Sequence, residues 1–122
     1  MTTQVHRGDV IWVDLTLDAV GTEKQGFRPC VVVQNNGGNR AGVSTIVCTI
    51  TDSRAFKGYA QQVLVPAREL GPGGKDSMVE CGQIRTIDIA TRMNQRLGVT
   101  STLSEETMAL VNDALKASLA LD

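Results

Sequence analysis

A chain of 122 residues and 13.0 kDa has the length of one domain and buries roughly two thirds of its unfolded surface, enough for a core without disulfide staples. A formal charge of −1 and a pI near 5.8 exclude blanket phosphate neutralisation along a duplex, so any nucleic-acid site has to be local. Cys30, Cys48 and Cys81 lie far apart without a Cys-x-x-Cys pair and sit mostly beside aliphatic residues, which reads as reduced core thiols. No run approaches the ~18 apolar residues of a membrane span. The polar start Met1-Thr2-Thr3-Gln4 lacks the apolar character of a signal peptide, so a cytoplasmic location with no membrane association is expected.

In chain order, Asp9-Val10-Ile11-Trp12-Val13-Asp14 alternates as a strand does, and Trp12 among aliphatic neighbours reads as a core residue, with base stacking as the other use of its ring. Thr16 to Gly26 is a long, polar, glycine-containing loop, expected to be mobile. Cys30–Gln34 and Ser44–Ile50 are further strand signals. Between them, Asn35-Asn36-Gly37-Gly38-Asn39 is rich in residues that tolerate positive φ, which predicts a turn. Gln61–Val65 and Ser77–Cys81 continue the series. Short strands joined by polar turns predict a small antiparallel sheet or barrel. The last segment changes period: Ser104 can cap a helix with Glu105 and Glu106 in its first turn, and Leu103 can staple to Met108. Thr107 stands where a capping box needs Glu or Gln. Met108, Val111, Leu115 and Leu119 are expected to cover the sheet while Asn112, Asp113 and Lys116 face water. The pattern is mainly β with helices, an α+β fold in one domain spanning 1–122.

Several motifs fail on inspection. Arg7-Gly8-Asp9 reads as the turn into the first strand rather than as an adhesion tripeptide. Gly71-Pro72-Gly73-Gly74-Lys75-Asp76-Ser77 lacks the Gly-Lys-Ser/Thr of a phosphate loop, and Asp76 would repel a phosphate. His6 is the only histidine, which excludes a multi-histidine metal site and a histidine-pair ribonuclease mechanism.

The informative blocks are Arg7-Gly8-Asp9-Val10, the Gly-x-Glu segment Gly21-Thr22-Glu23 before Arg28-Pro29, Asn39-Arg40, Ile50-Thr51, and Gln83-Ile84-Arg85-Thr86-Ile87-Asp88. In their order and approximate spacing, over nearly the whole chain, they resemble the MazF/PemK family. That resemblance implies an SH3-like barrel with a C-terminal helix and a homodimer. It implies an endoribonuclease toxin that cuts single-stranded RNA at a short sequence without metal or cofactor. A cognate MazE-like antitoxin with an acidic tail would neutralise it, in a complex that also binds DNA. It places the family's catalytic arginine on Arg28 and its catalytic threonine on Thr51. The alternatives are a CcdB-type topoisomerase poison, disfavoured by the C-terminal Ser118-Leu119-Ala120-Leu121-Asp122 without an aromatic residue, and an inactive SH3-like binding module, in which Arg28 and Thr51 would lie apart.

The chemistry suits the pair, because RNA carries its own nucleophile in the 2′-OH. A guanidinium and a hydroxyl can donate to phosphoryl oxygens as charge builds on them. An arginine is effectively always protonated and abstracts protons poorly, which makes Glu23 a physically easier base, although loop carboxylates are more often solvated or paired. For RNA binding, Lys24 adds a cation where many relatives carry Gln. Arg54 and Lys57 can follow phosphates while Phe56 or Tyr59 stacks a base; a solvated loop with one anchored aromatic fits that segment equally well. Gln83 can read a base edge and Arg85 can hold a phosphate, or Arg85 can pair internally with Asp76 or Asp88. Lys24, Arg28, Arg54 and Lys57 together would attract an acidic antitoxin tail.

Overall fold

Continuous aliphatic runs give the central strands two apolar sides, and the chain resolves this by curling one sheet so that both sides are covered. The computed structural model describes residues 3–16, 19–23 and 26–122. Its strands are β1 (Asp9–Asp14), β2 (Phe27–Val32), β3 (Ser44–Asp52), β4 (Gln62–Val65), β5 (Ser77–Asp88) and β6 (Val99–Thr102). They form one antiparallel sheet in the order β4-β5-β3-β2-β1-β6. Among the described residues three α-helices accompany it: α1 (Asn36–Asn39), α2 (Ile89–Arg92) and α3 (Glu105–Ser118).

Because side chains alternate along a strand, neighbouring residues serve different cores. Val31, Cys48, Ile50, Val79 and Cys81 meet Val111 and Ala114 of α3 on one side. Val13, Cys30, Val32, Val47 and Ile87 pack with Val5, Ile89 and Met93 on the other. All three cysteines are buried and unbridged, as their neighbours predict. Gly8 takes a φ of +97° in the turn that leads into β1, the role expected of the Arg7-Gly8-Asp9 segment.

Local chemistry moves several boundaries. β2 starts at Phe27, ahead of the expected Cys30, because Phe27, Arg28 and Pro29 pair with Asp14, Val13 and Trp12. β5 runs on to Asp88 through a bulge that skips from Cys48↔Ile84 to Thr49↔Glu80. The polar strand β6, Val-Thr-Ser-Thr, shows no apolar alternation and goes unforeseen in the sequence. The segment after Asn35 is a helical turn, with Gly37 and Gly38 at negative φ. Asn35 caps it by accepting from Gly38 N–H, and Asn39 is buried at its end. The Asn39 amide donates to Gln34 O at 3.0 Å and accepts from Thr45 Oγ1 at 2.7 Å, so this buried polar group is satisfied. Trp12 is only half-buried and belongs to neither core, contrary to expectation.

α3 begins as its sequence predicts, with Ser104 Oγ accepting from Thr107 N–H at 3.1 Å. Met108, Leu103, Val111 and Leu115 pack together, but Leu119 lies past the last helical residue and is 54% exposed. The acid missing from the capping box comes from elsewhere. Glu69, in the 3-10 turn Ala67–Glu69 after β4, accepts from Ser104 N–H at 2.8 Å and from Thr107 Oγ1 at 2.8 Å. β4 and β6 are the two edges of the sheet, so Glu69 ties the turn following one edge to the residues following the other. Gly71 completes this seam: its φ is +81°, and a Cβ there would meet Thr100 O at 2.9 Å.

Burial alone would raise the Glu69 carboxyl, but hydrogen bonds from Ser104 and Thr107 outweigh it and hold the group below its ordinary value. A depressed folded value means stability that is present above the unfolded value and lost as pH falls through the folded one. Glu69→Ala is therefore expected to cost about 1–3 kcal/mol in urea unfolding near neutrality, with the two proteins converging in acid. A difference that persists undiminished in acid would assign the effect to packing instead.

Candidate active site

The ladder between β2 and β3 ends at Cys30↔Thr49. Arg28 lies two residues before Cys30 and Thr51 two residues after Thr49, so antiparallel alternation puts both on one face and opposite each other. Beyond that last pair a cleft of about 220 Å³ opens, lined by Arg28, Thr51, Phe27 and Trp12 from the sheet and by Lys75 and Ser77 across from them. The scattered arrangement expected of an inactive binding module is not what the fold produces.

Asp52, next to Thr51, organises the charges at the cleft. Its carboxylate takes Arg54 Nε at 3.0 Å and Lys75 Nζ at 3.1 Å, and it also caps the 3-10 turn Ser53–Ala55 through Arg54 N–H. The side-chain hydrogen bond from Arg54, with its N–H and Lys75 adding to it, holds the Asp52 carboxyl well below the usual carboxylate range. Asp52 is thus an anion under any ordinary condition, which steadies Lys75 at the cleft but makes it a poor proton acceptor. Ser77 is buried, and its hydroxyl donates to Lys75 O at 2.7 Å, fixing the backbone that carries the ammonium.

The other sequence-predicted residues fall in three groups. Arg85 pairs with Val47 across β3 and shares its face with Arg28. Burial pushes the Cys30 thiol up to about 12 while Arg85 and Arg28 pull it the other way, which places both guanidinia around that thiol. Asp76 and Asp88, considered as its ion-pair partners, accept from Ala67 N–H and from Thr91. Gln83 is half-buried in the β5 bulge and does not line the cleft. The second group lies around the cleft's flank. Arg54 folds onto Asp52; Phe56 lines a separate concavity with Leu64, Pro66 and Asp76; Lys57 is exposed, with its N–H on Gln62 Oε1 at 2.8 Å. The third group is the β1–β2 loop. Glu23 is exposed and accepts from Val20 N–H at 2.6 Å, outside the cleft, and Lys24 lies outside the described residues.

Two residues that line the cleft depart from the sequence reading. Lys75 sits in the glycine-rich segment set aside as a failed phosphate loop; its backbone pattern is wrong for that motif, but the cation itself reaches the cleft. Trp12, read as a core residue with base stacking as its other use, is half-buried and lines the cleft. A guanidinium, a hydroxyl and an ammonium converging on one cleft make a site for a tetrahedral oxyanion such as a phosphodiester in transit.

Residues 6–119 match the family model described as PemK-like, MazF-like toxin of type II toxin–antitoxin system. The chain is 41% identical over 118 residues to endoribonuclease EndoA of Bacillus subtilis, covering 96% of each. It is 36% identical to endoribonuclease MazF of Staphylococcus epidermidis, covering 97% of this chain and 93% of that one. Among solved structures, MazF from Deinococcus radiodurans superposes with a TM-score of 0.73 at 23% identity, covering 95% of this chain and 96% of that one. A mycobacterial endoribonuclease in complex with its cognate antitoxin gives 0.72 at 22% identity, covering 97% of each. A curled antiparallel sheet with a C-terminal helix, an Arg–Thr cleft at its open end and this run of relatives together make the chain a member of the PemK/MazF family of type II toxins.

Proposed function

We propose that the chain is a cytoplasmic, metal-independent endoribonuclease toxin that cuts single-stranded RNA, and the observation that carries this is the opposition of Arg28 and Thr51 across one cleft. The 2′-oxygen attacks the adjacent phosphorus, the P–O5′ bond breaks, and the products end in a 2′,3′-cyclic phosphate and a 5′-hydroxyl. One proton leaves the 2′-OH and one reaches the departing 5′-oxygen. Arg28 and Thr51 donate to the phosphoryl oxygens, and their donation strengthens as charge accumulates there. The 2′-OH supplies the nucleophile, so no metal hydroxide is required, and DNA is not a substrate.

Glu23 is the proposed base. In the free protein its carboxylate is held by Val20 N–H, so the β1–β2 loop has to re-form over RNA before it can reach the 2′-OH. Among the described residues no helix is long and apolar enough to cross a membrane. We infer that the chain forms a homodimer held by an antitoxin whose acidic tail lies over Arg28 and its neighbouring cations; similar structures solved in complex with a cognate antitoxin and with MazE support a partner of this kind.

Purified protein in excess chelator is expected to cut single-stranded RNA. Arg28→Ala and Thr51→Val should each lose about 10²–10³-fold in kcat/KM without a matching loss of thermal stability. Equal cutting by wild type and Arg28→Ala, or none by the wild type across a broad RNA panel, sinks the reading. Glu23→Gln is expected to remove the acidic limb of the pH–rate profile; an unchanged limb dismisses Glu23 as the base and leaves the Arg–Thr pair standing.

A further inference from the structure

Cutting an RNA phosphodiester needs a proton at the departing 5′-oxygen as well as a base at the 2′-OH, because an alkoxide is a strong base and leaves slowly unless it is protonated as it goes. Arg28 and Thr51 do not meet that need. A guanidinium holds its proton too tightly to give it up, and a threonine hydroxyl is no stronger an acid than the alcohol it would have to protonate. Asp52 is an anion, and the Ser77 hydroxyl already donates to Lys75 O. Among the described residues that line the cleft, the group left to supply a proton is the Lys75 ammonium.

Lys75 stands across from Arg28 and Thr51, where the cleft opens into a chamber of about 430 Å³; the two share Trp12, Pro29, Lys75 and Ser77 and make one trench. The backbone is fixed on both sides of it. Before Lys75, Gly74 N–H donates to Gly71 O at 3.0 Å, and a Cβ on Gly74 would meet Ala67 O at 2.9 Å. After it, the Asp76 carboxylate accepts from Ala67 N–H at 2.9 Å and the Asp76 carbonyl from Ser53 N–H at 3.2 Å. The Lys75 side chain itself is 70% exposed, so a fixed stem carries an ammonium that water reaches.

We propose that Lys75 is the general acid of the cleavage and gives an Nζ proton to the departing 5′-oxygen. This rests on the endoribonuclease reading of the cleft. The loop holding Glu23 leads into β2, whereas Lys75 leads into β5, so base and acid come from different strands, as in-line attack and departure on two sides of phosphorus require. The P–O5′ bond breaks with its electron pair on oxygen, the proton follows to make the 5′-hydroxyl, and Lys75 is left as a neutral amine. Water returns a proton to the exposed amine and takes up the one that the 2′-OH surrendered to the base, so the protons balance over a turnover. Asp52, which holds the resting ammonium at 3.1 Å, is never left bare: Arg54 keeps it through Nε at 3.0 Å and Nη2 at 3.2 Å.

Sulfur in place of the bridging 5′-oxygen isolates this step, because a thiolate is a far weaker base than an alkoxide and leaves without a proton. The cut position is first mapped on a natural RNA with wild-type protein, and RNA of that sequence is then made with oxygen or sulfur at the 5′ bridge. In single turnovers Lys75→Ala should cut the oxygen substrate about 10²-fold more slowly than wild type and the sulfur substrate at nearly the wild-type rate. Lys75→Arg keeps the charge without the transferable proton, so it should behave as Lys75→Ala does on both. Arg28→Ala should be slow on both, with melting temperature as the control for folding in every variant. An equal loss by Lys75→Ala on the two substrates overturns the proposal and makes Lys75 a holder of phosphate. So does wild-type cutting of the oxygen substrate by either Lys75→Arg or Lys75→Ala. Each of these outcomes is read against a wild type that cuts RNA, whereas a wild type that cuts neither substrate defeats the endoribonuclease reading itself.

Discussion

The Glu69 carboxylate is the tie on which the geometry of the open end depends. A six-stranded sheet has two free edges, and here the residues following the edge strands meet at one side chain. The bonds from Ser104 and Thr107 cap α3, and α3 covers the core formed by Cys48, Ile50 and Val79. The same seam sets where the next segment starts. Gly71 can approach Thr100 O only because it has no Cβ, and from there the chain reaches Lys75 in four residues. The ammonium at the cleft is thus positioned by the closure of the sheet, although it lies far in sequence from Arg28 and Thr51.

The charges at that cleft are arranged more economically than the count of cations suggests. Of the cations near Thr51, Arg54 already forms two hydrogen bonds with Asp52, at 3.0 and 3.2 Å. What faces the trench is Arg28 from one side and Lys75 from the other. Asp52 keeps Lys75 near the site in the absence of substrate, and an exposed pair of this kind is weak enough to exchange for a phosphate. In a protein of formal charge −1, this is how a local phosphate site coexists with an acidic whole.

Much of this was legible in the sequence, for identifiable reasons. β1 and the start of α3 follow from alternation and from the Ser104 cap, both of which are local. Arg28 and Thr51 were visible through ordered short motifs, and β pairing explains why residues so far apart meet. The misses have one physical origin, which is that their causes are tertiary. β6 is a strand because β1 offers it an edge, not because its residues alternate. Asn39 reads as a turn residue, but its amide is a buried hub between Gln34 and Thr45. Glu69 replaces the missing capping-box acid from 35 residues away. Trp12 and Lys75 carry no local sign of their position, since the trench they share exists only once the sheet has closed.

A site with so few cations must draw part of its hold on RNA from elsewhere. Phosphate contacts release counterions and weaken steeply with salt, each cation adding to that dependence. Stacking carries no such dependence and works on any base. With Arg28 and Lys75 facing the trench and Arg54 engaged by Asp52, the apolar chamber beside the cleft is the larger available surface. Its walls are built by the seam itself, from Leu70 and Pro72 on one side and Thr100 on the other. The closure that stabilises the fold is then also what walls the chamber beside the cleft.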